Sequence, residues 1–237
     1  MNGSTLYQWP STARFGRVVP KTKFYEHGIV TATLRERFVT EVQRITWAYK
    51  LADATVNLRG DASVPEIQVF VLAAKAKDVV DNVLEAIDKA VQFPIIFEIV
   101  SSDGEEPKTR MVAAHKQVGG TALRLSSYFS TEWLPVDAQR APLPGALDLP
   151  GLYAALLAPL LPVARIPGEP LAETAARIDR VQKVEREVAA LERKLRNEPQ
   201  LNRKIEIRRQ IRDRTATLTE LTAPRRHTTD PLVKDYA

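Results

Sequence analysis

The sequence predicts an α+β body followed by a C-terminal antiparallel helical hairpin with coiled-coil character. Short apolar runs separated by turn residues indicate a mixed, mainly antiparallel sheet of about five strands. Two segments with apolar residues at helical intervals indicate helices that pack against this sheet. A charged stretch without glycine, residues 170–221, is interrupted once at Asn197-Glu198-Pro199 and therefore predicts two helices joined by a short turn.

The body begins with a predicted helix and a predicted strand. Thr33 and Glu36 have the spacing of a helix-capping box, after which apolar residues recur on one helical face. That face consists of Phe38, Val42, Ile45 and Tyr49. The β-prone residues 54–58 then predict a short strand.

The rest of the body is predicted to contain a central strand, one helix and a meander. Residues 66–73 are apolar on both faces apart from Gln68, which predicts a central strand. Asp78 precedes an amphipathic helix that extends to about Val91. Three further β-prone segments follow, with the last turn at Gly119-Gly120, and predict an antiparallel meander. The predicted order of elements is α-β-β-α-β-β-β.

Composition shifts divide the chain into five predicted segments. They are an irregular N-terminal segment (1–28), an α+β core domain (29–134), a proline-rich linker with a short apolar helix (135–169), the coiled-coil hairpin (170–222) and a flexible tail (223–237). The coiled-coil hairpin is called the arm below.

The composition excludes several classes of protein. Cysteine is absent, so the chain has no disulfide framework, no thiolate zinc site and no cysteine nucleophile. The N-terminus lacks the apolar region of a secretory signal, and the longest apolar stretch, 152–164, is too short to span a bilayer. We therefore expect a cytoplasmic protein that does not enter a membrane.

The net charge of +5 is concentrated in the arm. Residues 165–226 contain 16 Lys and Arg against 10 Asp and Glu, whereas the rest of the chain contains 18 basic and 19 acidic residues. A basic arm on a neutral body is typical of proteins that bind a polyanion or an acidic protein surface. A solvated helical arm without a ligand is the alternative interpretation.

Apolar residues at alternating intervals of three and four form a seam along each arm helix. The seams contain Val181, Val184, Val188, Leu191 and Leu195 in the first helix, and Ile207, Ile211, Leu218 and Leu221, with Arg214 among them, in the second. The short turn favours pairing of the two seams within one chain, and pairing between two chains is the alternative. Glu173 lies four residues before Arg177, which predicts an ion pair between them.

Basic residues of the second arm helix are the main candidates for binding a partner. They are Arg203, Lys204, Arg208, Arg209 and Arg212. Leu201 and Ile205 lie more than a quarter-turn from the seam, in the same sector as the last three of these residues. An apolar pair beside unneutralised arginines predicts a docking face; alternatively, the pair caps the tip of the hairpin.

The body offers a second candidate surface, in which basic and aromatic residues are interleaved. The basic residues are Lys21, Lys23, Lys50 and Arg59, and the aromatic residues are Phe24, Tyr25, Trp47 and Tyr49. This combination is typical of surfaces that contact phosphates and stack on bases. The alternative is that the aromatic residues anchor the N-terminal segment while the lysines remain in water.

Catalytic signals are weak. The sequence has no phosphate-binding loop, dinucleotide fingerprint or nucleophile elbow, and His27, His115 and His227 lack metal-ligand spacing, so we expect no cofactor and no resident metal. A metal-dependent nuclease needs acidic residues on adjacent strands and a lysine near the attacking water. The candidates for such a site are Glu66, Glu98 and Lys75, although the residue two positions after Glu98 is a valine instead of a lysine.

Six segments of the chain form a specific set. They begin at Pro20 (PKTKFYEHG), Glu41 (EVQRITWAYKLADATVNL), Pro65 (PEIQVF), Ile87 (IDKAVQFPIIFEI), His115 (HK) and Asn202 (NRKIEI). This set resembles an uncharacterised bacterial family, domain of unknown function 4391, over most of residues 20–221. The resemblance implies a setting beside helicases and DNA methyltransferases of restriction-like, anti-phage systems. The family has no assigned catalytic residues, so the resemblance implies no mechanism.

Together, these observations favour a non-enzymatic accessory subunit of a bacterial DNA-processing system that defends against phage. Its body would dock on a helicase or methyltransferase partner, and its basic arm would contact DNA or that partner. Two alternatives stay open: a metal-dependent nuclease that uses Glu66 and Glu98, and a structural homodimer joined through the arm.

Overall fold

A mixed seven-stranded sheet is the framework of the first of two units, Met1–Ala164. The structure, a computed structural model, describes residues 5–26, 31–104, 106–117, 123–163, 166 and 169–223. His27, His227, the expected Gly119-Gly120 turn and residues 224–237 of the expected tail lie outside the described residues.

Six strands lie side by side in sequence order, and a two-residue seventh pairs with the fifth. The strands are β1 (Arg14–Val18), β2 (Val42–Leu51), β3 (Ile67–Ala74), β4 (Ile95–Ser101), β5 (Lys108–Gln117), β6 (Arg124–Ser130) and β7 (Leu134–Pro135). The β3–β4 pair is parallel and the other pairs are antiparallel. The prediction of a mixed, mainly antiparallel sheet is therefore confirmed, and the prediction of about five strands is wrong.

Among the described residues of the first unit, five α-helices accompany the sheet. They are α1 (Thr22–Glu26), α2 (Ala32–Glu41), α3 (Asp53–Val56), α4 (Asp81–Ala90) and α5 (Leu149–Leu157). α2 and α4 cover one face of the sheet, where Phe38 and Leu84 join a buried cluster with Phe70 and Phe97. α5 packs on β5 through Tyr153, whose hydroxyl donates to the Ala114 carbonyl at 2.8 Å. The residues expected to form a linker thus supply a helix to the first unit.

The largest difference from the sequence prediction is β2. The predicted helix ends at Glu41, and the residues that continue its apolar face form a ten-residue strand. A bulge between Val42 and Arg44 places Val42 and Ile45, three residues apart, on the same buried face, so their spacing imitates that of a helix. The content of β-branched and aromatic residues favours a strand, and pairing with β1 and β3 stabilises it.

Several shorter predictions also differ from the structure. Residues 53–56 form α3 instead of a strand, because the Ala52 N–H donates to Thr55 Oγ1 and Asn57 ends the turn with a left-handed φ of 54°. The cap of α2 is Thr31, whose side chain accepts from the Leu34 N–H. The N-terminal segment, expected to be irregular, contains β1 and α1.

The second unit, Arg165–Ala237, contains two paired helices, α6 (Leu171–Asn197) and α7 (Leu201–Thr222). They run antiparallel, because Arg177 near the start of α6 donates to the Leu221 carbonyl near the end of α7 at 3.3 Å, and Arg214 of α7 bonds Glu187 farther along α6 at 3.0 Å. The seam residues Val181, Val184 and Ile207 are buried. The predicted C-terminal helix pair is therefore confirmed, and the 27 residues of α6 extend over about 40 Å. Within the described ranges, no helix has the length and apolar character needed to cross a membrane.

Candidate functional site

Glu98 is a buried carboxylate on β4 that holds two distant segments of the first unit. Arg140 Nη1 and Nη2 donate to Glu98 Oε1 and Oε2 at 2.8 and 3.0 Å, and Trp9 Nε1 donates to Oε1 at 2.6 Å. Arg140 Nη1 also donates to the Tyr7 carbonyl at 2.9 Å. Hydrogen bonds to Glu98 raise the pKa of Arg140. Both carboxylate oxygens are therefore engaged in contacts that fasten the chain before β1 and the chain after β7 to the central sheet.

Glu66 and Lys75 lie at opposite ends of β3. Glu66 Oε2 pairs with Lys50 Nζ at 2.7 Å, and Glu66 Oε1 accepts a hydrogen bond from Gln68 Nε2 at 2.7 Å. Lys75 Nζ donates to the Val39 carbonyl at 2.7 Å. Each of the two residues therefore has its own local partners.

The structure does not bring Glu66 and Glu98 together. Glu98 lies beside Val71 in the parallel β3–β4 pair, five residues beyond Glu66. Five residues of strand span about 16 Å, and side chains an odd number of residues apart point to opposite faces of a sheet. Across the described residues, no group of three or more His, Asp or Glu side chains is placed to hold a metal ion.

A buried lysine, Lys116 of the HK segment at His115, lies on β5. Lys116 Nζ is 2.7 Å from Asp88 Oδ1 and donates to the carbonyls of Asp88, Val91 and Phe93 at 2.7 to 2.9 Å. The Tyr128 hydroxyl donates to Asp88 Oδ2 at 2.7 Å. This cluster supplies hydrogen-bond donors to carbonyl groups at and just after the C-terminal end of α4. Its sequence signal is an acidic residue four positions after Leu84, on the buried face of an amphipathic helix.

The second candidate surface is only partly available to a ligand. Lys21 donates to the carbonyls of Phe38 and Val42, and burial lowers its pKa. Lys50 is paired with Glu66. Lys23 is exposed on α1. Two of these three lysines are therefore engaged in contacts within the body.

The predicted docking residues lie together on α7. Arg208, Arg209 and Arg212 are exposed, as are Leu201 and Ile205, whose exposed fractions are 67% and 56%. At 100° per residue all five fall within one sector of about 100°. We call these five residues the α7 face. Arg203 is exposed and Lys204 is half-buried, and both lie outside this sector.

The arginines of the α7 face differ from Arg214 in their surroundings. Arg214, on the seam side, is matched by Glu187. Among the residues that the structure describes, Arg208, Arg209 and Arg212 have no carboxylate within ion-pair distance. The α7 face therefore presents three arginines without an ion-pair partner among the described residues.

Comparisons with known proteins place the chain in a family but assign no role to any residue. The model of a family described as a domain of unknown function (DUF4391) matches residues 8–218. The match extends over most of both units. No curated protein and no solved structure matched the chain.

Proposed function

Because the chain belongs to the family of domain of unknown function 4391, we propose that it is an accessory subunit of a bacterial anti-phage, DNA-processing system. In this proposal the body docks on a helicase or a DNA methyltransferase. The α7 face then contacts DNA or that same partner. The observation that carries the proposal is the α7 face itself, which combines exposed apolar side chains with unmatched arginines.

The physical case begins with charge. Guanidinium groups bind phosphates and carboxylates through paired N–H donors, and three of them on one helical sector match a row of anionic groups. Neutralised phosphates release counterions, so binding to DNA should weaken steeply as the salt concentration rises. Contacts with an acidic protein surface would also weaken with salt, but they need no phosphate backbone.

The apolar pair distinguishes the two kinds of partner. Leu201 and Ile205 together expose two large aliphatic side chains next to the arginines. Burying such side chains at a protein interface is favourable by about 25 cal/mol per Å² of apolar surface. Phosphates offer these side chains no comparable contact, so the pair favours a protein partner that also carries acidic groups.

The experiment compares two charge-reversed variants of the full chain. In the first, Arg208, Arg209 and Arg212 of the α7 face are changed to Glu. In the matched control, the exposed residues Arg186, Arg193 and Lys194 of α6 are changed to Glu, with the same change in net charge. Binding is measured to duplex DNA at several salt concentrations, and to a helicase and a DNA methyltransferase of the kind proposed as partners.

We expect the α7 variant to lose binding and the α6 variant to retain most of it. A double variant, Leu201→Ser with Ile205→Ser, should weaken protein binding and leave DNA binding unchanged. Unaltered binding of the α7 variant to DNA and to both proteins would overturn the proposal. Equal losses in the α7 and α6 variants would also contradict it, because they would assign binding to net charge instead of the α7 face.

A further inference from the structure

The edge of the sheet at β1 carries a continuous stack of aromatic rings that ends in an arginine. Phe70 stacks on Trp47 with ring centroids 6.1 Å apart, and Trp47 packs on Phe15 with centroids 4.0 Å apart. The Arg17 guanidinium carbon lies 5.0 Å from the centre of the Phe15 ring. Trp47 is fixed further by its Nε1–H, which donates to the Tyr49 carbonyl at 3.0 Å.

Phe15 and Arg17 are two residues apart on β1, a spacing that places side chains on the same face of a strand. The register of β1 against β2 shifts between Arg14 and Arg17, and Gly16 between them has a φ of 69°. A left-handed residue in a strand is typical of a bulge, which twists the edge and re-aims the neighbouring side chains.

This edge is also positively charged and accessible. Arg14, Arg17 and Val18 are exposed, and Phe15 is half-buried. In the described part of the chain neither arginine has a carboxylate at ion-pair distance. β1 is an edge strand of the described sheet and pairs with β2 along one side. The backbone groups along its other side point away from the sheet.

We propose that the β1 edge binds a single-stranded stretch of nucleic acid. One base stacks on the Phe15–Arg17 end of the aromatic stack, and Arg14 contacts a neighbouring phosphate. Aromatic and guanidinium planes beside unmatched positive charge are the features by which proteins hold unpaired bases. In a duplex the faces of the bases are covered by their neighbours, so the stack selects a single strand.

This site is separate from the α7 face, and its ligand is a different form of nucleic acid. The α7 face offers arginines and aliphatic groups but no aromatic ring. The β1 edge offers a ring stack, and the lysines that the sequence placed beside it, Lys21 and Lys50, are engaged elsewhere. Binding of a single strand at the β1 edge therefore does not depend on the function proposed for the α7 face.

The test measures the affinity of the full chain for a fluorescently labelled oligothymidylate of about 15 nucleotides, a length near the upper end of single-strand binding sites. The variants are Arg17→Glu and Phe15→Leu. Arg124→Glu is the matched control, since Arg124 is an exposed arginine at the opposite edge of the same sheet, on β6. An oligouridylate of equal length distinguishes DNA from RNA, and a duplex of equal length tests strand selectivity.

We expect Arg17→Glu and Phe15→Leu each to weaken binding by about tenfold, the effect of losing one stacked base. Arg124→Glu and the α7 charge reversal should change it by about twofold or less. Ultraviolet crosslinking should attach the oligonucleotide to the peptide that contains Phe15 or to the one that contains Trp47.

Three results would overturn the inference. They are equal affinity for single strand and duplex in the α7 charge-reversed variant, which lacks the arginines proposed to bind duplex DNA, unchanged affinity in Arg17→Glu, and crosslinks confined to α7. If Phe15→Leu unfolds the body, Arg17→Glu still decides the matter because its side chain lies on the surface. A loss of oligonucleotide binding in the α7 variant alone would assign the single strand to the α7 face instead.

Discussion

Lys116 and Asp88, 28 residues apart in the sequence, neutralise each other in the interior of the body, where neither side chain is accessible to solvent. Burial raises the pKa of Asp88 and lowers the pKa of Lys116, while the attraction between the two charges opposes both shifts. Three backbone carbonyls at and just after the end of α4 also accept hydrogen bonds from the ammonium group of Lys116.

We predict that Lys116→Met destabilises the body by about 3 to 5 kcal/mol, the usual cost of breaking a buried ion pair from one side. The variant leaves Asp88 charged without its partner and removes donors from three carbonyls. Urea unfolding of the wild type and the variant, followed by circular dichroism, measures the difference in the free energy of unfolding.

The double variant Lys116→Met with Asp88→Leu is the control for this interpretation. It removes both charges, so it should be more stable than Lys116→Met alone. If the double variant is instead less stable than the single variant by the full cost of a second core substitution, the two charges do not act as a pair.

The two candidate catalytic carboxylates should respond differently to neutralisation. Glu98→Gln removes a charged acceptor from Arg140 and places an amide N–H₂ against one of its donors, at a cost of about 1.5 to 3 kcal/mol. Glu66→Gln weakens a contact to Lys50, whose side chain is 40% exposed, at a cost of about 1 kcal/mol or less. Urea midpoints of the two variants give the comparison, and equal midpoints would contradict the structural role assigned to Glu98.

Regular patterns in the sequence predict part of this fold well. The amphipathic pattern of α4, the apolar run of β3 and the two arm seams each have a single consistent period, and the structure forms those elements. The sequence predicts a helix for the residues of β2 because the bulge between Val42 and Arg44 puts two apolar residues three positions apart on one face, which hides the alternation that identifies a strand. The pairing of β2 with β1 and β3 decides its structure, and such pairing is invisible in a local window.

The contacts of the candidate residues could not be predicted from the sequence, because they join residues that are far apart in the chain. Arg140 lies 42 residues after Glu98 in a proline-rich segment, and only the folded chain brings its guanidinium to the carboxylate. The stack on β1 escaped prediction for a similar reason, since Phe15 and Trp47 belong to different strands. In the arm, by contrast, the helical period alone predicts which residues share the α7 face, because all of them belong to one helix.

The base of the arm contains an ion pair that differs from the predicted one and gives the second unit a pH dependence. Arg177 Nε and Nη2 donate to Glu169 at 3.0 and 2.8 Å, and Thr174 Oγ1 donates to it at 3.0 Å. These hydrogen bonds, chiefly those from Arg177, lower the pKa of Glu169 to about 2. Glu173, which the sequence pairs with Arg177, is exposed.

We predict that Glu169→Gln lowers the thermal midpoint of helix unfolding at pH 6 and has a progressively smaller effect as the pH falls. The folded carboxylate has a lower pKa than the unfolded one, whose ordinary value is 4.5, so its stabilisation is fully present above about pH 5 and is lost toward about pH 2. Circular dichroism melts of wild type and variant between pH 2.5 and 6 measure the effect. Glu173→Gln is the control and should change the midpoint little at any pH. A Glu169→Gln effect of constant size across this range would contradict the assignment, since it would show that the charge of Glu169 does not contribute to the stability of the arm.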